Sequence, residues 1–205
     1  MEWIPFVADR ESRYAEQHGE LDERSLVRKG NVAYAAGLGL LMLRDERAAE
    51  WLRRAAACWR DSWQGGESWG RPIGAMKASL LAGDDARADA EWALESGAEA
   101  SVSPIGRYAA ALALLVLGRW ADARHVADSL RERDDFPRDV ADALAFVAAA
   151  DVVDYAEAIE SVVASFETRT EFLEDARVAD TALVLDLLAR RRGIELELPS
   201  SDVLP

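Results

Sequence analysis

The sequence has few of the residues from which metal and nucleophilic sites are usually built. It contains one cysteine, Cys58, two histidines, His18 and His125, and only two lysines among its 24 basic residues. A lone cysteine excludes a disulfide within the chain and is typical of a reducing compartment. Because one cysteine and two distant histidines are too few ligands for a zinc site, the sequence predicts no metal and no cofactor. Cys58 follows three alanines and is predicted to be a packed helical residue.

Long apolar runs and leader segments are missing as well. The longest apolar run, residues 32–43, is shorter than the roughly 20 residues that a membrane-spanning helix needs. Residues 1–10 have neither the basic nor the apolar region of a secretory signal. The sequence also has no glycine-rich phosphate loop, nucleophile elbow or dinucleotide fingerprint. We therefore expect a cytoplasmic protein that does not bind membranes and is not an enzyme.

The chain has a large excess of acidic residues, and this excess is unevenly distributed. The formal net charge is −14, of which −2 falls in residues 1–70 and −12 in residues 71–205. Such a field disfavours nucleic acid and favours a cationic protein partner. The abundance of Asp and Ala with little Lys fits a halophile and a high-GC bacterium equally, and both interpretations stay open.

A repeated step is the most informative feature that the sequence does contain. A turn residue, an aromatic or charged residue and then alanine recur in Gly83–Ala88, Gly118–Ala123 and Val153–Ala158, with a looser copy in Arg44–Ala49. The closing alanines lie at positions 49, 88, 123 and 158, in steps of 39, 35 and 35 residues. A period of this length is typical of stacked helical hairpins.

Prolines divide the chain at a similar interval. Pro72, Pro104 and Pro137 each fit a first helical turn, and Ser103 fits an N-cap. The sequence therefore predicts one all-α domain, residues 1–205, with a final helix over 171–192 that packs along the end of the stack and an extended surface tail over 193–205. The four predicted hairpins pair 25–43 with 47–63, 72–82 with 86–98, 104–117 with 121–132, and 137–150 with 155–167.

The turns resemble those of tetratricopeptide repeats. Gly118–Ala123 and Asp154–Ile159 are similar to the segment that begins the second helix of that repeat, and Gly37 stands where its first helix often has glycine. The resemblance covers about residues 30–167. It implies antiparallel hairpins stacked as a compact α–α superhelix that serves as a protein-binding scaffold without chemistry.

The last fifty residues resemble the C-terminal region of the all-helical immunity protein 49 family of bacterial toxin systems. The similar segments are Phe166–Arg169, Val178–Ala182, Leu188–Gly193 and the terminal Leu204–Pro205. The resemblance implies a protein that neutralises a toxin by binding it.

A tryptophan-rich segment is the strongest candidate for a binding site. Trp51, Trp59 and Trp63 share one helical face, and either core packing or partner contact would explain them. The glycine-rich loop that follows joins the first two hairpins and ends in aromatic and charged residues. The predicted partner- or ligand-binding residues are Trp63, Glu67, Trp69, Arg71, Arg107 and Tyr108.

Three classes of function stay open on these observations. The first is a non-enzymatic protein-binding module, such as an immunity protein for a cationic toxin domain. The second is a helical small-molecule-binding protein or enzyme with a pocket near Trp63, Trp69 and Arg71. The third is a protein that associates with copies of itself.

Overall fold

The computed structural model describes residues 2–66 and 68–205. Within these residues the chain forms α-helices joined by short turns and contains no strand, which confirms the prediction of an all-α fold. Short 3-10 turns lie at Ala98–Ala100 and Leu173–Asp175. None of the described helices has the length and apolar content that crossing a bilayer requires. The helices are α1 Trp3–Glu16, α2 Glu23–Met42, α3 Ala48–Asp61, α4 Gly70–Leu81, α5 Arg87–Glu95, α6 Pro104–Val116, α7 Trp120–Arg131, α8 Arg138–Ala149, α9 Val152–Thr168 and α10 Asp180–Arg191.

Three of the repeated steps in the sequence begin at a helix C-cap in the structure, whereas Val153–Ala158 lies within α9 and the C-cap before it, Ala150, is three residues earlier. Arg44, Gly83, Gly118 and Ala150 each adopt a left-handed backbone conformation directly after α2, α4, α6 and α8. At each of these turns, two backbone N–H groups bond back to carbonyl groups of the last helical turn, as in a Schellman motif. Each turn therefore ends one helix and reverses the chain into the next, which produces the hairpins.

Consecutive helices pack on one another from α1 to α9, and α10 packs across α4, α8 and α9. Ala123 and Ala158, the closing alanines of the last two repeats, are buried at these contacts, as their small size predicts. The corresponding Ala88 is exposed, and Ala86 and Ala90 are buried in its place. The superhelical arrangement typical of tetratricopeptide repeats stays a prediction.

The buried apolar residues form two clusters that meet at α4. Ala75 and Ala78 belong to the cluster formed mainly by α1–α4, whereas Met76 and Leu80 belong to the cluster formed mainly by α4–α10. These positions lie on different sides of α4, because residues one apart point about 100° away from each other on a helix. Helix α4 is therefore covered on both sides, and Lys77 lies between the two clusters.

The final helix is shorter than predicted, and the prediction that it begins at residue 171 is wrong. It begins at Asp180, because Glu174 and Asp175 adopt positive φ angles of 51° and 59°, which interrupt a helix. Arg10 and Arg13 of α1 hold this interruption in place: Arg10 Nη2 donates to the Glu174 carbonyl at 2.7 Å, and Arg13 Nη2 lies 2.8 Å from Glu174 Oε2.

The two ends of the chain also differ from the prediction. Residues 3–16, to which the sequence analysis assigned no element, form α1. The tail over 193–205 does not simply lie on the surface, because Ile194 and Val203 are buried. The Val203 carbonyl accepts a hydrogen bond from Ala179 N at 2.8 Å, just before α10 begins. The tail therefore returns to the core and satisfies a donor at the start of α10.

Candidate functional site

A cavity of about 640 Å³, called the central cavity below, lies where the two apolar clusters meet. One cluster contributes Tyr34 and Trp59 to its wall, and the other contributes Trp69 and Ile73. Tyr34 is on α2, Trp59 on α3 and Ile73 on α4, while Trp69 directly precedes α4. The cavity is therefore lined by side chains that are far apart in sequence, and most of its exposed surface is apolar.

Trp59 is fixed between two glycines. A Cβ atom at Gly74 would lie 2.7 Å from Trp59 Cζ3, and one at Gly30 would lie 2.9 Å from Trp59 Cδ1. The indole N–H of Trp59 donates to Asn31 Oδ1 at 3.1 Å, and the ring centroid lies 5.3 Å from that of Tyr34. With only 4% of its surface exposed, Trp59 joins α2, α3 and α4 and forms one rigid face of the cavity.

The floor of the central cavity carries a buried ion pair. Lys77 Nζ lies 2.8 Å from Asp180 Oδ2 and donates to Thr181 Oγ1 at 2.9 Å. The Tyr34 hydroxyl donates to the same Asp180 Oδ2 at 2.8 Å. Lys77 is 9% exposed, so its charge depends on this carboxylate rather than on solvent. The pair connects α4 to the start of α10 across the boundary between the two clusters.

The ion pair keeps both of its members charged in spite of burial. Burial alone raises the pKa of Asp180, but the Lys77 ammonium and the hydrogen bonds from Lys77 and Tyr34 outweigh it and hold that pKa below its usual value. Burial alone lowers the pKa of Lys77, yet Asp180 raises it above its usual value. Burial and the adjacent Asp180 carboxylate raise the pKa of the Tyr34 hydroxyl, which stays protonated as a donor.

Two of the residues predicted from sequence line the central cavity. Trp69 is buried against the start of α6, and the Arg71 side chain is largely buried at the start of α4. Arg71 Nη1 donates to the Ser62 carbonyl at 2.8 Å, and Nη2 pairs with Glu23 of α2. Arg71 therefore connects the loop that follows α3 to α2, and these contacts help to position Trp69 in the cavity wall.

Three further predicted residues, Trp63, Tyr108 and Arg107, lie around the cavity rather than in it. The Trp63 ring packs behind the wall, with its centroid 6.3 Å from that of Trp69 and 5.4 Å from that of Trp92. Tyr108 lies near the ion pair: burial raises the pKa of its hydroxyl, while the Lys77 ammonium opposes this rise. Arg107 is not in the wall either.

Arg107 is directed toward α7. Its Nη2 donates to Ser129 Oγ at 2.9 Å, and its Nη1 donates to the Glu99 carbonyl at 3.1 Å. It thereby ties α6 to α7 and to the turn that precedes α6. Glu67 lies outside the residues that the structure describes.

The mouth of the cavity is apolar and exposed. Ile105, in the first turn of α6, is 47% exposed, and Leu173, in the turn before α10, is 48% exposed. Exposed apolar residues beside a cavity extend the surface that an apolar ligand can cover. Because Glu174 is held by Arg10 and Arg13, the position of the neighbouring Leu173 depends on α1.

The polar floor of the site was not predicted from the sequence; it consists of Tyr34, Lys77 and Asp180. One signal in the sequence could have found Lys77. It is one of two lysines, and it stands in a segment, Gly70–Leu81, that is otherwise nearly without charge. A charged residue in a helix with two apolar faces has to be paired inside the fold.

Comparisons with family models, with curated proteins and with solved structures give no match to this chain. The resemblances to tetratricopeptide repeats and to the immunity protein 49 family therefore stay predictions, and the argument for function depends on the site.

Proposed function

We propose that the protein binds a small, largely apolar organic molecule in the central cavity. The observation that carries this proposal is a cavity of about 640 Å³ with Trp59 and Trp69 in its wall and the buried Lys77–Asp180 pair at its floor. Small-molecule sites usually enclose about 300–1,000 Å³ and combine mostly apolar walls with a few convergent polar groups. Of the functions that the sequence left open, this one has the most specific structural support.

The protonation states at the floor support binding without a chemical step. Asp180 holds the pKa of Lys77 above its usual value, so the amine stays protonated and is not a nucleophile at neutral pH. The pKa of Asp180 lies below its usual value, which makes its carboxylate a poor general base. Both groups suit recognition better than catalysis, and the proposal keeps the expectation that the protein is not an enzyme.

The neutral fluorophore N-phenyl-1-naphthylamine, whose emission rises in apolar surroundings, tests the proposal. We expect saturable binding at one site per chain. Val27→Trp should weaken binding about tenfold or more, because Val27 lines the cavity and the larger side chain would fill it. Val153→Trp is the matched control: Val153 is 72% exposed on α9, and its replacement should leave binding unchanged.

Two results would contradict the small-molecule proposal. One is the absence of saturable binding to the folded wild-type protein. The other is equal weakening by Val27→Trp and Val153→Trp, which would show that the fluorophore binds somewhere other than the central cavity. Near-ultraviolet circular dichroism of each variant identifies any loss of tertiary packing.

Protein binding is the second candidate, and an acidic groove between α8 and α9 favours it. Asp139, Asp142, Asp154 and Glu157 line this groove, and Val153, the residue before Asp154, is exposed. Asp142 is already paired with Arg131 and Arg138, which leaves most of the negative charge on the other three carboxylates. An exposed apolar residue bordered by carboxylates suits a cationic toxin domain, as the resemblance to immunity proteins implies.

A toxin reading frame beside the gene of this protein would supply the partner for a test. We expect its product to bind more tightly at low salt than at high salt. Asp154→Lys combined with Glu157→Lys should weaken binding about tenfold or more, while Val27→Trp should have no effect. Equal affinity for the charge-reversed protein would exclude the acidic groove as the interface.

A further inference from the structure

The polar atoms that face the central cavity are mainly hydrogen-bond donors. The Lys77 ammonium has three N–H donors, of which Asp180 Oδ2 and Thr181 Oγ1 accept two. In the part of the chain that the structure describes, Lys77 Nζ makes no further hydrogen bond. Since Lys77 is 9% exposed and lines the cavity, an acceptor on a ligand would satisfy the remaining donor.

Asn31 adds further donors to the lining of the central cavity. The indole nitrogen of Trp59 can only donate, so the group of Asn31 that faces it at 3.1 Å must be the carboxamide oxygen. The Nδ2 group of Asn31 therefore faces away from Trp59. Asn31 lines the cavity, and its two N–H donors have no acceptor among the residues that the structure describes. These donors suit a ligand group that only accepts.

The charges around the cavity point to the same kind of group. Among the residues that the structure describes, its lining contains the cations Lys77 and Arg71 and the anion Asp180, whose Oδ2 already accepts from Lys77 and Tyr34. Helices α4, α6 and α10 also begin at the cavity, where Gly70, Ile105 and Asp180 form part of the lining. The positive ends of three helix dipoles favour negative charge there and disfavour a cation.

We propose that the ligand of the central cavity is an apolar carboxylic acid, bound as its carboxylate. The two carboxylate oxygens accept from Lys77 Nζ and Asn31 Nδ2, and the apolar body lies against Trp59 and Trp69 and extends toward Ile105 at the mouth. This assignment rests on the proposed small-molecule function and adds the chemical class of the ligand. An amine of the same size would meet donors and cations and would bind more weakly.

Three compounds with the same ten-carbon chain test the head group: decanoate, 1-decanol and decylammonium. Each is titrated against the wild-type protein loaded with neutral N-phenyl-1-naphthylamine. We expect decanoate to displace the fluorophore at a concentration about tenfold lower than 1-decanol, and decylammonium to be the weakest of the three. Equal displacement by decanoate and 1-decanol would overturn the carboxylate assignment and leave the small-molecule function standing. Failure of the fluorophore itself to bind would overturn both.

Asn31→Asp is the sharpest variant, because it is nearly isosteric and spares the buried ion pair. Its carboxylate still accepts from Trp59 Nε1, but the Nδ2 donors are replaced by a charged oxygen. We expect the ratio of the displacement concentrations of decanoate and 1-decanol to approach one, a comparison in which any change in fluorophore affinity cancels, while the melting temperature changes little. An unchanged preference for decanoate in the folded variant would contradict the proposed position of the head group.

Discussion

Trp59→Ala should lower the free energy of unfolding by about 3–5 kcal/mol, the usual cost of deleting a large buried side chain. The indole is 4% exposed, and it holds α2, α3 and α4 together at Gly30, Asn31 and Gly74. Trp63→Ala is the control, because Trp63 lies just beyond the end of α3 and is only half-buried. Urea denaturation of both variants measures the difference, and we expect Trp63→Ala to cost less than half as much.

Gly74→Ala tests the contact between position 74 and Trp59 a second time. Its effect on stability should be opposite in sign in the wild-type and Trp59→Ala proteins. In the wild-type protein the added Cβ would lie 2.7 Å from Trp59 Cζ3, so the substitution should be destabilising. In the Trp59→Ala background that clash is gone, and alanine should stabilise α4 by up to about 1 kcal/mol relative to glycine. Destabilisation of equal size in both backgrounds would show that Trp59 is not what requires glycine at position 74.

The sequence predicts the hairpins well because the turns that make them are local. Gly83 and Gly118 adopt the left-handed conformation that a helix C-cap needs, and glycine is recognisable at that position. Arg44 and Ala150 adopt the same conformation with side chains that give no such signal. Arg44 was located only because the step repeats along the chain, and Ala150 lies three residues before the step that the repeat indicated, Val153–Ala158. Such a repeat indicates the fold without showing why each turn forms.

The elements that the sequence analysis missed depend on contacts between distant parts of the chain. The break before α10 requires Glu174 in a left-handed conformation, and Arg10 and Arg13 hold it there. These partners lie more than 160 residues away along the chain, beyond the reach of any local pattern. The buried ends of the tail, Ile194 and Val203, likewise depend on tertiary packing rather than on their alternating neighbours.

The residues of the candidate site also divide into those that a local sequence signal indicates and those that only tertiary contacts bring together. Trp69 and Arg71 could be predicted because aromatic and arginine residues beside a glycine-rich loop are a local signal. Tyr34, Lys77 and Asp180 could not be assembled, since Tyr34 and Asp180 are 146 residues apart and meet only when α10 crosses α4. A cavity can therefore have a charged floor made of residues that no local cluster in the sequence brings together.

Lys77→Met should lower the free energy of unfolding at pH 7 by about 3–5 kcal/mol, as expected when one partner of a buried ion pair is removed. Methionine fills a similar volume, so the loss comes mainly from leaving the Asp180 carboxylate buried without a counter-charge. The double variant Lys77→Met, Asp180→Asn removes both charges. The carboxamide oxygen of the asparagine introduced at position 180 can still accept from the Tyr34 hydroxyl. We expect this double variant to recover a large part of the loss.

The pH dependence of stability should differ between wild type and Lys77→Met. In the wild type the pKa of Asp180 is lowered, so its contribution is present at neutral pH and is lost only as pH falls below about 4, the unfolded value. In Lys77→Met, burial without the ammonium should raise the pKa of Asp180 above that of the unfolded chain. Folding then favours the protonated acid, and acidification from pH 7 to pH 5 should reduce the destabilisation by up to about 1.4 kcal/mol per pH unit. Two results would show that the buried charge of Asp180 is not the cause of the loss. One is a destabilisation of Lys77→Met that stays constant between pH 7 and pH 5. The other is a double variant that is no more stable than Lys77→Met.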